Sequence, residues 1–154
     1  MSQENLPYIL PYVEDDGGRS KYFRAKEVGD CVCRAITIAS GRDYKEVYDA
    51  LREITKASRA KRKGNPRSGV FTQRTGFKRM MKDLGFTWTS LCSIGQKESS
   101  HLFSDEMPLK GRHVCSAHRH YIALVDGVVH DTWDSRYDSF GFPRRIYGYW
   151  TYNG

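Results

Sequence analysis

The side chains of this chain whose types and order could do covalent chemistry together are Cys31, His120 and the carboxylates Asp131 and Asp134. In such a set the thiol attacks a carbonyl carbon to form an acyl-enzyme. His120 takes the thiol proton and later gives it to the leaving amine. A carboxylate on the other ring nitrogen holds the imidazole and fixes its tautomer. Cys33 is a second candidate nucleophile, but two residues along a helix is about 200° around it, so Cys31 and Cys33 cannot face one cleft. Cys33 is expected to be a buried structural thiol, and to serve as nucleophile only if the helix starts later. His113, Cys115, His118 and His120, with Cys31 and Cys33, raise a metal site as an alternative. Their spacing matches no common zinc pattern, and no metal is expected.

These residues need elements to position them. Gly29-Asp30-Cys31 reads as a turn feeding a buried helix, with Val32, Ala35, Ile36 and Ala39 on one apolar stripe. Asp30 is expected to cap that helix by accepting from an amide of its first turn, and Ser40-Gly41 to end it. Cys31 then holds the first helical position, where unpaired amides and the helix dipole favour a thiolate. Its own amide supplies one donor of an oxyanion hole. His120 opens a strand and Asp131 closes its neighbour, the two joined as a β-hairpin by Asp126-Gly127. His130 is out of register with Asp131 and is expected on the opposite face.

Asp30-Cys31 followed by Ala35 resembles the Asp-Cys-Gly-x-x-Ala start of peptidases that process bacteriocin leader peptides. Asp131-Thr132-Trp133 resembles the Asn-Ser-Trp segment that orients the catalytic histidine in papain relatives, which selects Asp131 over its competitor Asp134. A cysteine on an early helix, then a histidine and a carboxylate on late adjacent strands, is the papain-like order. From Asp15-Asp16-Gly17-Gly18 to Tyr147-Gly148-Tyr149-Trp150 the chain resembles small papain-like proteins of bacteriophages and prophages. The resemblance implies an α+β, papain-like fold whose N-terminal nucleophile helix packs, with further helices, against an antiparallel β-sheet. It also implies a cysteine hydrolase with a Cys31–His120–Asp131 triad. The substrate class is a peptide or isopeptide bond in the cytoplasm of a bacterial host, with no cofactor. One position departs from the pattern. Papain relatives usually place a Gln upstream of the nucleophile as second oxyanion donor, and residues 19–30 contain none; Lys26, or a backbone amide near it, would have to substitute.

The bulk properties agree with a folded chain. At 154 residues, 1–154 are expected to form a single domain with a real core. A hydrophobic content of 39% and a charged content of 28% fit a soluble globular chain, and 13% aromatic residues argue against disorder. No apolar run approaches the roughly 18 residues of a membrane span, and no membrane partner is expected. Met1-Ser2-Gln3-Glu4-Asn5 lacks the features of a signal peptide, so the four cysteines are expected as thiols in a reducing cytoplasm.

The remaining stretches frame the cleft. Residues 1–18 are expected as an extended arm or edge strand, since Pro7 and Pro11 exclude a helix interior, with a solvated turn at Asp15–Gly18. Asp43 and Glu46 have capping-box spacing for a second helix reaching about Thr55. Residues 56–69 are expected as a basic, mobile loop: six of the twelve residues 56–67 are basic, and the net charge is +7. Lys61, Arg62 and Lys63 are its candidate contacts to an anionic partner. No aromatic residue is interleaved for base stacking, so nucleic acid ranks below a solvated loop bordering the cleft. Phe77, Met80, Met81 and Leu84 mark a third helix from near Thr72 to Gly85. Strands are expected at 86–91, 113–116, 120–125, 128–132 and 145–152, with a loop over 93–111. Two rivals to the hydrolase stand: an inactive papain-fold binding protein, such as a phage inhibitor of a host defence factor, and a nucleic-acid-binding accessory protein using the basic loop.

Overall fold

A computed structural model describes residues 6–24, 29–92 and 99–154. Helix α1, Cys31–Ser40, is buried along nearly its whole length. Gly41 ends it at φ 71°, a left-handed conformation that costs glycine little, and its amide donates back to the Thr37 carbonyl at 2.9 Å. Helix α2, Tyr44–Ala57, starts at Asp43, whose side chain accepts from the Lys45 amide at 3.1 Å. The other half of the expected capping box is absent. Glu46 accepts instead from Arg42 at 2.7 Å, a charge-assisted bond that outcompetes the neutral amide of Asp43. Helix α3, Thr75–Asp83, begins later than the expected Thr72 and buries Phe77, Met80 and Met81.

Among the described residues, seven strands form one mostly antiparallel sheet. They are β1 (Tyr12–Glu14), β2 (Phe86–Ser90), β3 (Ser100–His101), β4 (Arg112–Ala117), β5 (His120–Val125), β6 (Val128–Asp131) and β7 (Arg145–Tyr152). Their order is β1-β6-β5-β4-β7-β2, with β3 on the end of β7. The exception to antiparallel pairing is β1, which lies parallel to β6 and makes residues 12–14 an edge strand. The β5–β6 turn has Asp126 at φ 48° and Gly127 at φ 76°, the two left-handed residues that a tight hairpin requires. The short β3 falls in the stretch expected as loop, where two residues offer no alternation to detect.

Alternation along β4 and β5 supplies two cores. Val114, Tyr121 and Ala123 pack with α1, α2 and α3, while Cys115, Ile122 and Leu124 pack with Leu10, Leu102 and Met107. Ile36 of α1 is completely buried, which contributes roughly 1.5–3 kcal/mol. Phe77 meets the rings of Tyr121 and Trp150 edge-on at 5.9 and 6.4 Å, locking α3 to the sheet. This packing fixes the start of α1 beside the start of β5. Among the described residues, no helix is long and apolar enough to cross a membrane.

Candidate active site

Cys31, His120 and Asp131 come together where three elements begin or end. Cys31 is the first residue of α1, His120 the first of β5 and Asp131 the last of β6. His120 Nε2 lies 2.6 Å from Asp131 Oδ2, and the imidazole also hydrogen-bonds the Cys31 thiol, which leaves Nδ1 on the thiol side. Burial alone would raise the Cys31 pKa. The His120 hydrogen bond and charge, a hydrogen bond from the Tyr121 amide and the nearby Arg34 outweigh it, and the thiol sits below its ordinary value. Burial likewise works against protonated His120, yet Asp131 and Cys31 push it up to about 9. Both shifts, the thiol down and the imidazole up, move the pair toward thiolate and imidazolium.

Asp131 is held by four donors. Oδ1 accepts from Arg34 Nη2 at 3.1 Å and from the Thr132 amide at 2.7 Å; Oδ2 accepts from Ser135 Oγ at 2.7 Å as well as from His120. Burial raises its pKa, but these partners bring the carboxyl below the usual range, so it stays ionised. Asp134 is engaged elsewhere, with its two oxygens on Arg136 at 2.8 Å each. His130 bonds Asp15 at 2.9 Å. The Trp133 ring lies 4.9 Å from that of His120, tilted by 38°, and Arg144 stands over it at 5.3 Å.

The expected Asp30 cap does not form. At φ −100° and ψ 23°, Asp30 is not in the extended conformation of an N-cap, and its side chain bonds no helix amide. It is fully buried and accepts from Arg19 at 3.0 Å, from Arg34 and from the Tyr44 hydroxyl at 2.6 Å. Two guanidinium groups and a phenol hold a buried carboxylate better than one exposed amide could. Arg34 thus joins Asp30 to Asp131. Sequence reasoning passed over Arg34, although an arginine three residues after Cys31 in an apolar helix segment must find carboxylates once buried. Ser135 was also missed, and its type and spacing carry no signal.

The other candidates separate. Cys33 is buried, its thiol directed at the Tyr44 carbonyl at 3.8 Å, and burial pushes it up to about 12. Cys115 is buried in the opposite core, and His113 uses both nitrogens, on Thr151 at 3.0 Å and the Lys110 carbonyl at 2.8 Å. His118 is exposed in the β4–β5 turn. Among the described residues, no group of three or more His, Cys, Asp or Glu is placed to hold a metal ion. Lys26 lies outside the described residues.

Cys31 and His120 open into a cleft of about 930 Å³ that is also lined by residues of the loop between Arg62 and Thr72. That loop closes on itself through paired amide–carbonyl bonds of 2.8 Å between Asn65 and Gly69. The basic trio divides: Arg62 lines the cleft, Lys63 lines smaller hollows beside α2, and Lys61 is exposed. A low thiol, a protonated imidazole and a fixed carboxylate in a cleft are what nucleophilic acyl chemistry needs. No protein-family model, curated protein or solved structure matches the chain.

Proposed function

We propose that this protein is a papain-like cysteine hydrolase that cleaves a peptide or isopeptide bond. The observation that carries the reading is His120 bonded on one side to Cys31 and on the other to Asp131. An α1 that presents its first residue to an antiparallel sheet supports the papain-like assignment.

The Cys31 thiolate attacks the carbonyl carbon, and the oxygen takes the negative charge. The Cys31 amide, at the first position of α1 where the helix offers it no carbonyl, is the candidate donor to that oxyanion. His120 gives its proton to the departing amine as the C–N bond breaks, leaving a thioester on Cys31. His120, now neutral, takes a proton from water; hydroxide adds to the thioester, and the acid leaves as the thiolate and imidazolium re-form. Asp131 stays charged throughout and stabilises each imidazolium.

p-Nitrophenyl acetate tests this by mass spectrometry. The expected result is an acetyl group on Cys31 that is lost with time, with acetylation slowed strongly in His120→Ala. Acetylation spread over other nucleophiles, or unchanged in that variant, would overturn the reading.

A further inference from the structure

The cleft around Cys31 is lined by Arg34, Arg62, Arg119 and His120, and by no aspartate or glutamate among the described residues. Arg34 is neutralised by its buried carboxylates. Arg62 and Arg119 are not: among the described residues neither has an ion-pair partner.

Each of the two residues has a defined place in the fold. Arg119 immediately precedes His120 in the two-residue β4–β5 turn and has φ 52°. The tight turn requires that conformation, and it sets the Arg119 backbone directly beside His120. Arg62 stands over the Phe71 ring at 5.8 Å, both residues lining the same cleft. The loop is pinned there by Arg74, which stacks on Phe71 at 4.0 Å and donates to the Arg62 carbonyl and to Ser58. Two arginines without ion-pair partners among the described residues thus line the cleft that holds Cys31, one on the 62–72 loop and one in the turn before His120, and such groups suit carboxylates.

We propose that Arg62 and Arg119 form an anion-recognition pair that selects substrates bearing a carboxylate side chain, aspartate or glutamate, beside the scissile carbonyl. This rests on the hydrolase reading for the identity of the scissile group, but not for the binding itself.

The test compares alkylation of Cys31 by iodoacetate and by iodoacetamide, reagents of similar size that differ by one negative charge. Wild type is expected to favour iodoacetate. The preference should fall by about two- to fivefold for Arg62→Gln and again for Arg119→Asn, the size expected of one guanidinium near a solvated cleft, and should shrink with salt. Arg119→Asn keeps a residue that accepts the turn, so folding is preserved. The iodoacetate-to-iodoacetamide rate ratio is the readout, because a change in the thiolate fraction affects both reagents alike and cancels. An unchanged preference in the double variant overturns the proposal.

If Cys31 resists iodoacetamide altogether, the hydrolase reading fails separately, and the pair is tested on Cys31→Ala by fluorescence anisotropy. Rhodamine-labelled Ala-Glu-Glu-Ala should bind at least several-fold more tightly than the Gln-Gln or Lys-Lys peptides, and lose that advantage in the double variant. Equal binding of the Gln-Gln peptide, or tighter binding of a phosphoserine peptide, would overturn recognition of carboxylate.

Discussion

Arg34 donates from Nη2 to Asp131 Oδ1 at 3.1 Å, so the helix that carries the nucleophile also holds the carboxylate that orients the histidine. The other arm of the same guanidinium goes to Asp30, immediately before Cys31. All three side chains are at most about one-twentieth exposed. Removing the cation leaves two buried carboxylates uncompensated.

Arg34→Ala should therefore lose about 3–5 kcal/mol of stability in urea melts. Arg34→Lys keeps the charge without the planar fork and should lose less. Because Arg34 also lowers the Cys31 and Asp131 pKa values, the lysine variant reports positioning through the pH profile of Cys31 alkylation. A profile identical to wild type would mean that Arg34 serves the fold alone.

Asp131→Asn tests the carboxylate. Without that charge His120 should lose its proton well below about 9, readable as its imidazole titration by NMR. Turnover of any acyl substrate should fall by roughly 10²–10⁴-fold. Asp134→Asn should leave both unchanged, since Asp134 is bonded to Arg136.

The same shift makes a stability prediction. His120 is raised from about 6.5 in an unfolded chain to about 9. Its contribution is complete below the unfolded value and is lost as pH rises through the folded one. Asp131 is shifted down, so its contribution is present above the usual carboxylate range and is lost as pH falls through its depressed value. The stability difference between wild type and His120→Gln should shrink from pH 6 to pH 10. A constant difference would show that no proton is linked to folding at His120.

Gly148 tests the sheet that carries the site. A Cβ there would collide with the Trp88 ring and stand 2.6 Å from the Thr89 carbonyl, so β2 must move away from β7. Gly148→Ala is expected to cost about 1–3 kcal/mol, measured by urea denaturation, with little change at Cys31.

Much of this arrangement was legible in the chain. The apolar stripe of α1, the Asp-Gly turn and the aromatic β7 are local patterns, and they placed Cys31, His120 and Asp131 at element ends. What escaped depends on non-local partners. Whether Asp30 caps a helix or takes two arginines depends on Arg19 and Tyr44, which arrive from other elements. Ser135 and Arg119 acquire meaning only when the chain folds back on β5. The papain-like resemblance was carried by a few residues around Cys31 and Asp131, and the wider topology had no local signature beyond helices followed by strands.

Whether Cys31 and His120 work as a pair is decided by the pH dependence of Cys31 alkylation in wild type and His120→Ala. Mass spectrometry of the Cys31 peptide after brief iodoacetamide treatment gives the rate at each pH. Wild-type Cys31 is expected to be modified readily well below the ordinary thiol pKa of about 8.5, and to lose that advantage without His120. A Cys31 that reacts only above its ordinary value, or equally in both proteins, would contradict a working thiolate–imidazolium pair.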